Sequence, residues 1–288
     1  MRRCLACDAR FDAAAVRCPA CGHEPPSIDG FAAFAPELAA AGGGFRPEYF
    51  EQLAALEAAS FWFRARNDLI AWACQTYFPA TARFLEIGCG TGYVLSRVAA
   101  VFPSAQLTGS EVFTAGLAVA RRRVPQAELC QMDARRIPFA DHFDLVGAFD
   151  VLEHVDEDEQ VLAEIRRALR SGGGLVLTVP QHAWLWSRQD ELACHVRRYA
   201  ASDLEQKLVR AGFEPLLRTS FVSLLLPLMW LSRRLRDAAG DEDASSELRT
   251  GKVADAVLGA VMAVERALIR SGLRFPVGGS LLLVARKT

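Results

Sequence analysis

A chain of 288 residues with a formal net charge of −1 is long enough for one large domain and a small additional one. A hydrophobic content of 51% suffices for a buried core, and a sequence pI near 6.5 gives no general attraction to nucleic-acid phosphates. No run reaches the roughly 18 apolar residues that a membrane-spanning helix needs, and the first residues contain no apolar signal segment. We therefore expect a cytoplasmic protein.

The first chemical signal is a pair of Cys-x-x-Cys motifs. Cys4 and Cys7 form one motif, Cys18 and Cys21 form the other, and ten residues separate them. Each motif can place two thiolates on one ion, and two motifs complete a closed tetrahedral zinc site. Four unrelated thiols or a redox pair are the alternatives. Because half of the eight cysteines lie in this short segment, we predict a structural zinc ribbon over residues 1–26.

The next segment, residues 27–59, carries weaker signals. Two prolines precede it, and a glycine run at 42–44 interrupts it. Such residues are typical of linkers. We predict a linker followed by a helical segment, and we expect the main domain to occupy residues 60–288.

The most informative stretch runs from Arg83 to Ser96. Residues 84–87 read as a buried strand, and a helical apolar pattern follows a turn that contains three glycines: Gly88, Gly90 and Gly92. Glycines let a ligand lie against bare N–H groups at a helix N-terminus. A dinucleotide site would need glycine in place of Tyr93, and Glu86 is unsuited to a pyrophosphate. A carboxylate at that position suits a ligand that carries an ammonium group.

This pattern resembles motif I of the class I methyltransferases that depend on S-adenosylmethionine (SAM), a ligand with both an ammonium and a sulfonium. The strand and helix signals after it alternate, as a doubly wound parallel sheet requires. The resemblance implies an α/β fold with a seven-stranded, Rossmann-like sheet, helices on both faces and the final strand inserted antiparallel. We place an apolar and helical insertion at about residues 221–272.

The same resemblance supplies a set of cofactor contacts. Glu111 follows the second strand about 20 positions past the glycine turn, where an acidic residue can bond both ribose hydroxyls. Resemblance to the family implies that Asp133 approaches the adenine amino group, with Met132 beside the ring. It also suggests that Arg64 or Arg66 pairs with the SAM carboxylate, although an aromatic core stripe with solvated arginines is the alternative. The predicted set is Glu86, Gly88, Cys89, Gly90, Gly92, Glu111, Met132, Asp133, Ala134, Asp150 and Arg64.

Methyl transfer from a sulfonium mainly requires alignment of the nucleophile and exclusion of water. A base helps only where the nucleophile must lose a proton, and the candidates are His154, His182 and His195. His154 is the first choice because it follows the fourth strand, although a structural histidine bonded to backbone is the alternative. Related quinone O-methyltransferases carry a similar carboxylate-x-x-Glu-His run linked to a metal. The resemblance thus implies a second hypothesis, a divalent cation at Asp150, Glu153 and His154.

The most apolar run, residues 221–231, is followed by an arginine cluster that ends at Arg236. It is too short to cross a bilayer, but it suits a helix at a membrane surface or a tunnel for a lipid. A buried helix beneath a cap is slightly favoured, because Pro227 would kink a surface helix. Peripheral membrane contact through residues 221–236 stays open. Residues 252–270 predict an amphipathic helix whose valine-rich face should pack against the core or a partner.

We expect this chain to move a methyl group from SAM to a small-molecule or lipid-linked acceptor, with oxygen as the acceptor atom. One alternative is an RNA methyltransferase, since zinc ribbons precede some of those. The near-neutral charge and the lack of an Asn/Asp-Pro-Pro-aromatic motif after the fourth strand argue against a nucleic-acid partner. Another alternative is a SAM-binding adaptor without turnover, which would bind a protein partner through the zinc ribbon.

Overall fold

The computed structural model describes residues 1–39, 47–239 and 251–288. Within these ranges the strands are β1 (Arg2–Arg3), β2 (Arg10–Phe11), β3 (Ser27–Ile28), β4 (Phe31–Ala33), β5 (Arg83–Ile87), β6 (Gln106–Glu111), β7 (Glu128–Gln131), β8 (Phe143–Phe149), β9 (Leu169–Pro180), β10 (Phe213–Phe221) and β11 (Ser280–Lys287). The helices are α1 (Pro36–Ala39), α2 (Pro47–Glu57), α3 (Phe61–Tyr77), α4 (Tyr93–Val101), α5 (Thr114–Arg123), α6 (Asp158–Ala168), α7 (Arg188–Leu192), α8 (Ala201–Arg210), α9 (Leu226–Ala239) and α10 (Lys252–Arg270).

The predicted α/β fold, with an antiparallel last strand in the sheet, is confirmed. Its strand order is β7-β6-β5-β8-β9-β11-β10, and the strands from β7 to β9 run parallel. The last strand, β11, lies antiparallel between β9 and β10. All residues of the central strand β8 are buried, as expected for a parallel strand that is covered on both faces.

Helices cover both faces of this sheet because neighbouring strand residues point to opposite sides. Leu85 packs into a hydrophobic cluster with residues of α6 and α8. Phe84, one position earlier, packs into a second cluster with residues of α3, α4 and α10. The carboxyl ends of the parallel strands therefore lie between the two helical layers.

The segment predicted as a linker instead adds two strands to the sheet, which has nine strands in the described part of the chain. β3 and β4 form a hairpin, and β4 pairs parallel with β7. Asp29 and Gly30 form the turn with φ values of 53° and 79°, which suits the Asp-Gly hairpin signal. The side chain of Gln131 then bonds both the N–H and the C=O of Ala35. The glycine run at 42–44 lies outside the described residues.

The valine-rich face predicted for residues 252–270 is only partly packed. The helix forms as α10, but its buried positions are Met262, Glu265 and Ile269. Val253 and Val257 are 80% and 58% exposed. No helix in the described ranges is both long enough and apolar enough to cross a bilayer.

The N-terminal ribbon, residues 1–26, is attached to the main domain by ion pairs of two largely buried arginines. Arg3 Nη2 lies 2.6 Å from Glu164 Oε2 on α6, and both side chains are largely shielded from solvent. The N–H of Arg3 also donates to the C=O of Pro138. Arg2 pairs with Glu128 at 3.1 Å and lies over the Phe139 ring. The ribbon is therefore fixed against the core on the side of β7 and α6.

This attachment predicts a difference between two arginines of the ribbon. Arg3→Met should lower the free energy of unfolding by about 1.5–3 kcal/mol, since it removes a charged hydrogen bond to buried Glu164, whose other oxygen keeps its pair with Arg167 at 2.6 Å. Arg10→Met is the matched control, because its pair with Asp141 is half exposed on both sides and is worth about 0–1 kcal/mol. Urea denaturation measures both. Equal losses for the two variants would contradict the buried attachment.

Candidate functional site

The glycine turn after β5 has a backbone that other residues rarely adopt. Gly88, Gly90 and Gly92 have φ values of 66°, 47° and 74°, and Gly92 is the N-cap of α4. A Cβ at Gly88 would lie 2.5 Å from Cγ2 of Val151. The turn therefore needs glycine for both conformation and space, and it presents the N-terminus of α4 to a ligand.

Two acidic side chains flank this turn. Glu86 is buried, and among the described residues its Oε2 has no hydrogen-bond partner. Burial raises the Glu86 pKa well above its usual range, although the charge of Arg66 opposes the shift. Glu111 accepts hydrogen bonds from the N–H groups of Gly90 at 3.1 Å and Val112 at 2.7 Å. The unsatisfied oxygen of Glu86 fits a cationic ligand, and the contact of Glu111 with a ribose stays a prediction.

The remaining predicted contacts at the end of β7 are already engaged by protein groups. Both oxygens of Asp133 accept from Arg135 Nε, at 3.1 and 3.0 Å. The side chains of Met132, Ala134 and Cys89 are buried in the hydrophobic core. The N–H of Met132 donates to the C=O at the end of β6, so the ends of β6 and β7 lie together. Contacts of Asp133 and Met132 with adenine stay predictions.

Arg66, not Arg64, lies at this site. The two residues differ by about 200° around α3 and so occupy opposite faces. Arg64 pairs with Asp255 of α10 at 2.5 Å and is half exposed. Arg66 is buried, pairs with Asp150 Oδ2 at 2.7 Å and lies over the Trp62 ring. The predicted position of Arg64 at the cofactor site is therefore wrong, and a contact of Arg66 with the SAM carboxylate stays a prediction.

Helix α2 lies within the predicted helical segment and packs on the glycine turn, a contact that was not predicted. Glu57, at its end, is buried and accepts from the Thr91 hydroxyl at 2.5 Å and from Arg123 at 2.6 Å. Phe50 is buried, and its ring edge lies 4.0 Å from the position of a Cβ at Gly90. The apolar pattern within 49–56 was a weak signal for this helix. Its packing against the turn could not be inferred without the fold.

A cavity of about 500 Å³ lies at the carboxyl ends of β8 and β9. Its walls come from α2, α3, α9 and α10, and are largely apolar. They include Leu53, Trp62, Leu225, Met229 and Leu258. Asp150, which has a positive φ of 58°, also lines the cavity. Since Asp150 is the ion-pair partner of Arg66, it connects this cavity to the glycine turn.

A cluster of Glu153, His154 and His195 lies on the polar side of this cavity. One ligand atom from each of the three lies within 4.8 Å of the others. Glu153 is fully buried, and neither carboxyl oxygen has a hydrogen-bond partner in the described part of the chain. Burial, together with nearby Asp150, raises the Glu153 pKa well above its usual range. Burial and His195 lower the His154 pKa to about 4, so this imidazole is neutral at pH 7.

His195 is oriented by a buried carboxylate. Its Nδ1 lies 2.8 Å from Asp190 Oδ1, and Arg198 Nε lies at the same distance from that oxygen. Burial alone would raise the Asp190 pKa, but His195 and Arg198 lower it to about 2. Asp190 is itself fixed by the N–H of Ser187, which donates to its other oxygen. An ionised Asp190 keeps the proton on Nδ1 of His195, so Nε2 remains for a proton or a cation.

Two of the predicted groupings differ from those in the structure. His182 is not among the residues that line the cavity; its ring stacks on Trp184 at 5.5 Å. The cation hypothesis named Asp150 beside Glu153 and His154, but Asp150 is paired with Arg66. His195 takes its place in the cluster, because the segment after α7 brings it against His154.

The four N-terminal cysteines do come together. The Sγ atoms of Cys4 and Cys21 are 3.6 Å apart, those of Cys7 and Cys18 are 3.7 Å apart, and all four lie within 4.8 Å of one another. Zinc–sulfur bonds of about 2.3 Å in a tetrahedron place the sulfurs about 3.8 Å apart. The cluster fits one zinc ion.

Comparisons with known proteins agree with this geometry. Residues 85–177 match the family model described as a methyltransferase domain. A probable S-adenosylmethionine-dependent methyltransferase of Mycobacterium tuberculosis is 31% identical over 163 residues, which cover 55% of this chain and 57% of that protein. A trans-aconitate 2-methyltransferase of Variovorax paradoxus is 33% identical over 120 residues, 41% of this chain and 45% of that protein.

Among solved structures, a SAM-dependent methyltransferase of Thermotoga maritima covers 87% of this chain and 100% of that one, with a TM-score of 0.54 and 17% identity. At that identity the likeness concerns the fold alone. The chain spans little more than half the length of the mycobacterial relative. Residues 85–177 thus match a methyltransferase domain, the relatives are SAM-dependent methyltransferases aligned over about half of this chain, and the solved structure shares its fold.

Proposed function

We propose that this protein transfers the methyl group of SAM to an oxygen of a small-molecule or lipid-linked acceptor held in the 500 Å³ cavity. The observation that carries the proposal is the position of Asp150. This residue lines the acceptor cavity and pairs with Arg66, whose charge also acts on Glu86 at the glycine turn. Donor and acceptor sites are therefore neighbours.

SAM, when bound, supplies an electrophilic methyl carbon with a good leaving group. The chain's own contribution is to orient the two reactants, exclude water and accept the acceptor's proton. His195 is the favoured base, because Asp190 holds its Nδ1–H and leaves Nε2 to take a hydroxyl proton. His154, the first choice from sequence, has a pKa of about 4 and is a weak base. Helix α2 and the apolar walls exclude water.

This assignment predicts a large effect of one substitution. His195→Asn should slow methyl transfer by about 10²–10⁴-fold, the usual contribution of a general base, and leave SAM affinity unchanged. His182→Asn is the control, since that ring does not line the cavity, and its rate should be normal. Single-turnover rates and calorimetric titration with SAM measure the two quantities. If His195→Asn reacts at the normal rate, the acceptor atom needs no base and the oxygen assignment fails.

The acceptor class is tested with methyl-labelled SAM and an extract of the source cells. Label that partitions into the organic phase supports a lipid-linked acceptor, and label in small aqueous products supports a polar metabolite. Nuclease-sensitive label would replace the proposal with an RNA methyltransferase. Absence of label, with SAM binding established separately, would favour an adaptor that lacks turnover.

A divalent cation in the Glu153, His154 and His195 cluster is a second candidate feature. Glu153 supplies a buried carboxylate, and the bond from His195 to Asp190 is the kind of outer contact that orients metal-bound histidines. A cation there would lower the pKa of an acceptor hydroxyl, with the three side chains as its ligands. We expect mass spectrometry to find a second metal per chain that Glu153→Gln removes and Cys18→Ser does not. Full activity and a single metal in the wild type after chelator treatment would eliminate this cation.

The structural zinc and the location of the protein complete the proposal. The eight cysteines, all within the described ranges, form no disulfide, and the four proposed zinc ligands need a reducing cytoplasm to stay thiolates. A zinc ion in the ribbon would be held by four thiolates with no open position, so its role is structural. One side of the ribbon packs against the core through Arg2 and Arg3. A protein partner on its other side stays a prediction.

A further inference from the structure

Helix α9 has one face toward the acceptor cavity. Met229, Ser232 and Arg236 line this cavity, together with Leu225 just before the helix. These positions recur at intervals of three and four residues, so they form one stripe along the helix. The inner stripe of α9 is thus a wall of the proposed active site.

The neighbouring stripe of α9 points outward and is apolar. Leu228, Leu231 and Leu235 are 51%, 49% and 63% exposed. They are spaced by three and four residues and therefore share one side of the helix. We call these three leucines the outer stripe. Leu228 also contributes to the cavity lining, so the outer stripe borders the cavity.

An aromatic and a cationic side chain accompany the outer stripe. Trp230 is 42% exposed, and the guanidinium of Arg234 lies over its ring at 5.4 Å. Of the three arginines in α9, Arg233 and Arg236 line the cavity, so Arg234 is the cation that accompanies the outer stripe. Exposed leucines beside a Trp and arginines are typical of helices that lie in the interface of an anionic bilayer.

The start of α9 is held firmly. Glu265 of α10 is fully buried, and its carboxylate accepts from the N–H groups of Val222, Ser223 and Leu224 at 2.6, 2.7 and 2.7 Å. Pro227 lies in the first turn of α9, where proline does not disturb a helix. The objection that it would kink a surface helix therefore does not apply. The fold fixes the direction in which the outer stripe points.

We propose that α9 docks on the surface of an anionic membrane through the outer stripe, Trp230 and Arg234, and that a lipid-linked acceptor enters the cavity from the membrane past Leu228. A second copy of this chain fits less well, because a two-fold contact here would bring Arg234 near its own copy. The entry route rests on the proposed function, whereas the membrane contact does not. The inner stripe then guides the apolar part of the acceptor toward His195.

Flotation with lipid vesicles tests the contact. The full chain should float with vesicles of phosphatidylcholine and phosphatidylglycerol, float less with phosphatidylcholine alone, and dissociate from the anionic vesicles in high salt. The double variant Leu231→Ser/Leu235→Ser, which alters residues outside the cavity lining, should lower the partition coefficient by about tenfold or more. Val209→Ser on α8 is the matched control, since Val209 is 57% exposed, and its partition should not change.

Three results would overturn the proposal. The first is that the wild type does not float, and the second is that the double variant floats as well as the wild type. The third is that sedimentation shows the wild type self-associating without binding vesicles, and that the double variant abolishes this self-association. Calorimetric titration of every variant with SAM tests the proposed function separately, because SAM binding does not depend on the membrane contact. A double variant that binds SAM normally and leaves the vesicles supports the membrane contact, whatever the acceptor proves to be.

Discussion

We expect that Cys18→Ser abolishes the proposed zinc site of the N-terminal ribbon and unfolds the ribbon. Zinc binding contributes about 10–16 kcal/mol to small zinc domains at pH 7, far more than the two-residue strands β1 and β2 can supply. Metal content should fall by one zinc per chain, and the amides of residues 2–11 should lose their protection from hydrogen exchange. Because Arg3 then no longer holds its position, the attachment to Glu164 should also weaken.

Cys194→Ser is the control for this variant, since Cys194 is a free thiol outside the ribbon. It should keep the wild-type zinc content and exchange pattern. The zinc interpretation would be wrong if Cys18→Ser retained full zinc, or if a zinc-free ribbon kept its amide protection.

Gly88→Ala is the second substitution with a large expected effect. Its φ of 66° disfavours a side chain by about 1–2 kcal/mol, and a Cβ placed 2.5 Å from Val151 adds about 1–3 kcal/mol of overpacking. Val151 follows Asp150, so any relief of the clash disturbs the link between donor and acceptor sites. We expect SAM affinity to fall about tenfold or more, which corresponds to about 1.4 kcal/mol.

Gly172→Ala separates the two causes. Gly172 has a φ of 71°, but a Cβ there would meet nothing within 4 Å. It should lose only the conformational part, about 1–2 kcal/mol of unfolding free energy, with unchanged SAM binding. Urea denaturation and calorimetry measure both variants. Identical behaviour of the two would contradict the tight packing of Gly88 against Val151.

The local features of the site could be predicted from sequence. The buried strand before Gly88 and the glycines at 88, 90 and 92 are signals that depend on neighbouring residues alone. Their positive φ values are the physical reason for glycine in those places. The alternation of strands and helices likewise predicted the parallel sheet, because a parallel pair needs a crossover connection.

Features that depend on which face of a helix is buried could not be predicted. Whether Arg64 or Arg66 lies near the glycine turn depends on how α3 packs. Arg64 instead forms an ion pair with Asp255 of α10. The valines of α10 follow a helical repeat, yet the residues of α10 that are buried in the core include Met262 and Ile269. Sequence periodicity defines an apolar face but not the surface that it meets.

Contacts between distant segments were the other gap. Glu153 and His195 are 42 positions apart, and their meeting depends on the Asp190 that orients His195. The Asp29-Gly30 pair was a signal for the hairpin of β3 and β4, but two- and three-residue strands show no measurable alternation beside it, and the hairpin was missed. Residue type alone also favoured His154, whereas burial lowers its pKa to about 4.

The central claim is that the glycine turn, Glu86 and Arg66 form a SAM site beside the acceptor cavity. Calorimetric titration of the purified chain with SAM tests it most directly. The structure predicts binding of one SAM per chain, weakened by Gly88→Ala and retained by Gly172→Ala. A wild-type chain that is folded and binds no SAM would contradict the claim.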